Sequence, residues 1–125
     1  MQIDFSFMDK RKVLGALGED LVAKNLEQQG FTIQHRNYRR RYGEVDIIAD
    51  KDDVLVFVEV KCRKHAYFDV SQLVPWSKQK KIIMVAKDYI ARYDHAEKVC
   101  RFDVALVEGE KLTYLENAFC EEGAW

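Results

Sequence analysis

Four charged residues interrupt two otherwise apolar runs in GEVDIIADKDDVLVFVEVKCR, residues 43–63: Glu44, Asp46, Glu59 and Lys61. Runs this rich in Val and Ile form strands, whose side chains alternate between two faces. In the first run Glu44, Asp46 and Ile48 share a face, and Val45, Ile47 and Ala49 take the other. In the second, Leu55, Phe57, Glu59, Lys61 and Arg63 share a face opposite Val54, Val56, Val58 and Val60. The polar stretch DKDD joins the two runs, which therefore pair antiparallel, and facing residues have a constant index sum. An odd sum puts Asp46, Glu59 and Lys61 on one side and the aliphatic residues on the other. An even sum would mix Val with Asp. Because one face must be buried, the pattern predicts the odd sum, and so an even-length turn or a compensating bulge.

In that register the charges could do chemistry. Adjacent strands lie about 4.8 Å apart, so Asp46 and Glu59 could hold one divalent cation between them. Hard oxygen ligands select Mg²⁺ or Mn²⁺ over Zn²⁺. Lys61 points at the same spot, where a lysine can orient or deprotonate a water or neutralise charge developing on phosphorus. Spacing alone also allows a plain ion-pair cluster at a strand end. Two features weigh against it: the segment is too apolar for a solvated edge, and paired acids repel unless a cation joins them. Glu44, on the face of Asp46, reads either as a supporting or second-metal ligand or as the partner of Arg41 or Lys61.

The rest of the chain must position this hairpin. Residues 9–29 read as an amphipathic helix with Leu14, Leu17, Leu21 and Val22 on one stripe, Asp9 as N-cap and Gly30 as stop. FTIQHRNY alternates as a first strand, and residues 64–73 read as a loop. A second helix runs from Pro75 or Ser77 to Tyr93 on a stripe of Ile82, Val85, Tyr89 and Tyr93. CRFDVALV and LTYLEN close as a strand pair around EGEK. The order α-β-β-β-α-β-β predicts an α/β fold: a mixed sheet with a helix on each face, or both on one. Lys78 shares the stripe of the second helix at its first turn. There it either faces a site or a phosphate, or snorkels to solvent.

Composition narrows the function classes. The 125 residues suit one domain, residues 1–125, with one core. No run is apolar enough to cross a membrane, and the N-terminus lacks the pattern of a secretory signal. Cys62, Cys100 and Cys120 contain no CxxC pair, which fits reduced thiols in a cytoplasmic protein rather than a zinc site or disulfide framework. Cys62 beside Lys61 could have a lowered pKa, but no nucleophile motif surrounds it and it reads as structural. The formal net charge of -1 hides segregated basic clusters: HRNYRRR, KCRK and KQKK. Arg36, Arg39, Arg40, Arg41 and Arg63 could hold phosphates, or could simply be solvated element ends. Tyr38, Tyr42, Tyr67, Phe68 and Trp76 lie among them, able to stack on bases or to fill the core. His35, His65 and His95 show no metal spacing.

An acid on one strand followed by Glu-x-Lys on the next resembles the PD-(D/E)xK nuclease superfamily, whose core is an αβββαβ unit of restriction-endonuclease-like fold. The likeness is closer to the bacterial UPF0102 (YraN-like) family. It is carried by GALGEDLVAKNLEQQGFTIQHRNYR, the central hairpin, LVPWSKQKKIIMVAKDYI, RFDVALV and NAF, across about residues 13–119. The chain departs from the superfamily in having Val45 where Pro precedes the strand acid. It departs from UPF0102 relatives in having Asp20-Leu21 after the helix acid. The resemblance implies a metal-dependent phosphodiesterase acting on nucleic acid. By position it makes Asp46 and Glu59 metal ligands and Lys61 the catalytic lysine. It adds Glu19, in LGED, as a further ligand like the helix acid of archaeal Holliday-junction resolvases. Helical geometry allows this, since Glu19 sits roughly 140° round from Leu14, at the edge of the stripe. The expected function is Mg²⁺- or Mn²⁺-dependent hydrolysis of DNA phosphodiesters, with a non-catalytic nucleic-acid-binding or adaptor protein of the same fold as the alternative.

Overall fold

The computed structural model describes residues 10–62, 69–93 and 95–121. Helix α1 spans Lys10–Gln28, and strands β1 (Thr32–Arg40), β2 (Gly43–Lys51) and β3 (Val54–Cys62) follow it. A one-turn helix α2 (Val70–Leu73) precedes α3 (Trp76–Tyr93), and β4 (Val99–Glu108) and β5 (Lys111–Phe119) complete the chain. The strands form one sheet in the order β1-β2-β3-β4-β5, antiparallel except for the parallel pair β3–β4. A parallel pair needs a crossover, and α3 supplies it. The helix α2 corrects the expected loop: the Gln72 side chain accepts the Asp69 N–H, holding the turn at its start.

The hairpin has the odd register. Ile47 faces Val58 and Ala49 faces Val56, closed by a two-residue turn at Asp52 and Asp53, with Asp52 at φ 53°. Both faces of the sheet are covered. Val56 and Val58 pack with Ile47, Ala49 and α1 residues Val22, Ala23 and Leu26. Leu55 and Phe57 pack with Ile48 and with Ile82, Val85 and Tyr89 of α3 on the other. A helix on each face is thus the observed alternative. Tyr38 is buried in the α3-side core, and Tyr42 packs against it.

Helix α1 ends as its sequence implies. Gly30 (φ 95°) donates to the Glu27 carbonyl and Phe31 to that of Leu26, a Schellman closure that an L side chain would strain. Its buried face is only half the expected one, since Val22 is buried and Leu21 packs against the core. Leu14 and Leu17 are 59% and 58% exposed, and the seat on the sheet is Gly18, Val22, Ala23 and Leu26. Gly18 explains the rotation. A Cβ there would collide with Cys62 Sγ, so this turn lies close against β3 because it has no side chain. On α3, Ile82, Val85 and Tyr89 are buried as expected, while Tyr93 is 43% exposed and leans on Tyr89. Asp9, the expected N-cap of α1, lies outside the described residues.

Candidate active site

The site begins where the β2–β3 ladder stops. Ile47–Val58 is its last pair, although both strands continue past it. Beyond that pair β3 stays bonded to β4, with Glu59 facing Val104 and Lys61 facing Leu106. The gap is bridged by a side chain: Asp46 Oδ2 accepts the Val60 N–H at 2.8 Å. Strand alternation breaks here too. Val45 packs on the α3 side and Ile47 on the α1 side, although they are two residues apart. Opposite, Asn37 adopts φ 53° between the pairs Arg36–Ile47 and Tyr38–Val45. Asp46 therefore sits in a fork reached from both layers.

Acids and lysines gather around that fork. The Glu59 side chain is 5% exposed and accepts Lys78 Nζ at 3.0 Å, with Lys61 Nζ at 3.9 Å. Burial, and then Asp46 within hydrogen-bonding reach, push the Glu59 carboxyl up to about 7, against the pull of Lys78. From the α1 layer, Glu19 is raised by burial and by Asp46, and drawn back by Arg36 and Asn37. Glu19 Oε1 is buried with no hydrogen-bond partner, its nearby cation being Arg36 Nη2 at 3.6 Å. Burial and the neighbouring Lys78 hold Lys61 below the usual lysine range, partly offset by Glu59 and Asp46. Glu19, Asp46, Glu59, Lys61 and Lys78 are thus brought together. Among the described residues no three His, Cys, Asp or Glu side chains are close enough to enclose a metal ion as they stand.

The model of Uncharacterised protein family UPF0102 matches residues 18–107, which carry all of these groups. The chain belongs to UPF0102. A UPF0102 protein of Alkaliphilus metalliredigens (strain QYMF) is 42% identical over 112 residues, covering 86% of this chain and 98% of the relative. One from Sulfurihydrogenibium sp. (strain YO3AOP1) is 40% identical over 116 residues, covering 92% and 100%. Among solved structures, Hjc, a Holliday junction resolvase of Archaeoglobus fulgidus, superposes with a TM-score of 0.56 at 18% identity. That match covers 85% of this chain and 78% of the resolvase. At this identity the likeness is one of fold.

In this UPF0102 chain the remaining charges are distributed more widely than their clustering suggests. Glu44 is held by Arg39 at 2.8 Å, not by Arg41 or Lys61. The break at Asp46 also removes the simple alternation that would align the two acids. The basic run of β1 splits between layers. Arg36 pairs with Asp20 at 2.8 Å beside α1, whereas Arg40 pairs with Asp88 of α3 at 2.9 Å and lies over the Tyr38 ring. Arg41 is exposed in the β1–β2 turn. Arg63, His65, Tyr67 and Phe68 lie outside the described residues. His35 lies edge-on to Tyr38 and Tyr89 and tilted against Tyr93, and His95 stacks on Tyr89, both partly buried. Desolvation, then Glu19 and Asp46, push the Cys62 thiol up, the opposite of the lowering that Lys61 alone would cause.

Two buried polar groups escaped the sequence reading. Asp103 on β4 is fully buried. It accepts Arg101 Nε at 3.0 Å and Nη2 at 2.9 Å, the Tyr114 hydroxyl, and the Asn117 N–H at 2.8 Å. The signal was present, because Arg101 and Asp103 are two apart on one face of a strand. Gln79 is buried behind Lys78 and donates to the Val74 carbonyl at 2.9 Å, fixing the junction between α2 and α3. Neither touches the fork. Asp103 faces Val58 from β4 but gives its carboxylate to Arg101, Tyr114 and Asn117, and Gln79 sets the position from which Lys78 reaches in.

Proposed function

We propose that this protein is a metal-dependent nuclease that hydrolyses phosphodiester bonds of DNA. The observation that carries the reading is the convergence of Glu19, Asp46 and Glu59 with Lys61 at one fork of the sheet, on a fold like that of a Holliday junction resolvase. Three carboxylates are the donor set of a hard divalent cation, and closing them on an ion would need the side chains to move from where they stand. Glu19 Oε1 is buried without a hydrogen bond, and Glu59 is raised by burial and by Asp46. A cation relieves both conditions.

Asp46 and Glu59, with Glu19 assisting, would hold Mg²⁺ or Mn²⁺, which would supply Lewis-acid polarisation of a phosphoryl oxygen and lower the pKa of water. Lys61 orients the attacking water and takes its proton, a role its lowered pKa favours. The water oxygen attacks phosphorus in line, the P–O bond opposite breaks, and the departing oxygen takes a proton from solvent. Arg36, Arg39, Arg40, Arg41 and Arg63, with Lys78, hold the backbone, which reads shape rather than sequence. Glu44 keeps Arg39 oriented at the rim.

The test incubates the protein with Mg²⁺ or Mn²⁺ and single-stranded, duplex, flap and four-way DNA. The wild type cleaves at least one of them, and Glu59→Ala and Lys61→Ala each lose about a hundredfold or more in rate. Cleavage absent on every substrate, or surviving both substitutions, overturns the assignment. DNA binding without cleavage would favour the non-catalytic adaptor, a reading supported by the extent to which Lys78 already neutralises Glu59.

A further inference from the structure

Glu59 is paired with two different lysines, and they are not equivalent. Lys61 is on the strand itself, 21% exposed and 3.9 Å away. Lys78 comes from the first turn of α3, 38% exposed, and its Nζ donates to Glu59 Oε1 at 3.0 Å. That oxygen is one an ion shared by Asp46 and Glu59 would need. Around the fork, Glu19, Asp46 and Glu59 face Lys61 and Lys78, and Arg36 is shared between Glu19 and Asp20. Two acids this close repel without a cation between them. Lys78, an ammonium on a flexible four-carbon stem, lies against Glu59 as that cation.

Beside Lys78 is an open cleft of about 230 Å³, lined by Gly43, Glu44, Ser77, Lys78, Lys81 and Ile82. It combines the Ser77 hydroxyl and the Lys81 ammonium with the route by which Lys78 leaves Glu59. An ammonium released into it leaves the fork's carboxylates behind, and the cleft's own carboxylate, Glu44, is already held by Arg39 at 2.8 Å. A divalent cation added beside Lys61 and Lys78 also raises the positive charge at the same place. A phosphate of the backbone matches both.

Resting on the nuclease reading above, we infer that Lys78 is a tethered counter-cation: it occupies Glu59 until the metal binds, and is then released into the Ser77–Lys81 cleft to grip a DNA phosphate. Lys78 is thus a positioning residue that makes metal and DNA bind cooperatively. Reciprocity requires that DNA tighten the metal as much as the metal tightens DNA.

The test measures Mn²⁺ affinity without DNA, from the electron paramagnetic resonance signal of free Mn²⁺. The proteins are the wild type, Lys78→Met and Lys78→Arg. With its competitor removed, Lys78→Met binds Mn²⁺ about tenfold more tightly, a coupling of ordinary size. Lys78→Arg, which keeps the charge, stays near the wild type. A residue serving only the fold would leave Mn²⁺ affinity unchanged or weaken it. In a Lys61→Met background, which prevents turnover, Mn²⁺ strengthens binding of a fluorescent duplex, and adding Lys78→Met shrinks that gain. Equal Mn²⁺ affinity in the wild type and Lys78→Met, or an undiminished gain for DNA, removes the role of Lys78 and leaves the nuclease reading standing. Absence of Mn²⁺ binding in all three proteins overturns that reading, and this inference with it.

Discussion

Replacing Glu59 by Gln should stabilise the metal-free protein while abolishing cleavage. The carboxyl is raised because its surroundings disfavour the charged form, even with Lys78 attached. Between pH 4.5 and about 7 the native state keeps a proton that the unfolded chain has lost. Stability therefore declines as pH rises through this window, and the deficit is complete above it. A rise from 4.5 to about 7, at about 1.4 kcal/mol per pH unit, places the deficit at about 3 kcal/mol. Gln has the same shape, can accept from Lys78 and donate to Asp46, and carries no charge to desolvate. Urea denaturation in EDTA at pH 5 and pH 8 reads the effect. At pH 8 the midpoint of Glu59→Gln should lie about 1.5 M above the wild type, for an m-value of about 2 kcal/mol/M. At pH 5, where the unfolded carboxyl is already partly ionised, the gap should shrink to about 0.4 M. Taking the difference between variant and wild type removes other titrating groups, Glu19 included. Millimolar Mn²⁺ should reverse the order by stabilising only the protein that binds it. A variant less stable than the wild type at pH 8, or a difference independent of pH, would refute the account of Glu59 as a carboxylate held at a cost.

Further outcomes follow from the packing. Asp103→Asn leaves Arg101 facing a neutral partner in a buried site, and should lose about 3 kcal/mol in urea denaturation. Gly18→Ala drives a methyl group into Cys62 Sγ and should cost about 2 kcal/mol, most of it restored when Cys62→Ala is added. Leu14→Lys and Leu17→Lys, on the exposed side of α1, should each change stability by less than about 0.5 kcal/mol, whereas Val22→Lys should prevent folding.

The hairpin was legible because its pattern is over-determined. Four alternating valines tolerate only one register, and the two-residue turn delivered it. The element order and the burial of α3's stripe follow from the same kind of periodic signal. The seat of α1 was legible only in part. Leu14, Leu17, Leu21 and Val22 make the better apolar stripe on paper, yet contact with β3 is decided by Gly18, whose contribution is an absent side chain. The gathering at Asp46 was half legible. Alternation aligned Asp46 with Glu59 and Lys61, but could not show the break between Val45 and Ile47 that admits Glu19 from the other layer. Lys78 was visible as a lysine on a buried stripe. Its attachment to Glu59 depends on the distance between α3 and β3, which no local pattern encodes. The arginines of β1 clustered in sequence yet reach separate partners, since alternation and the Asn37 kink turn neighbours to different layers.

The bond from the Val60 amide to Asp46 gives one oxygen atom two employments. It takes a hydrogen bond that strand β2 no longer offers through its backbone, and it belongs to the carboxylate proposed above as a metal ligand. Architecture and chemistry are therefore inseparable at this position. Asp46→Ala would unseal the sheet at the same stroke as it emptied the site, so loss of activity in that variant would carry no information about catalysis. Asp46→Asn, which still accepts from Val60, is the substitution that separates the two. The same sharing means that drift at residue 46 is opposed twice, once by whatever the protein does and once by the need to fold. An aspartate here would outlast the loss of enzymatic activity, so its presence in a related chain is a record of the fork rather than proof of turnover.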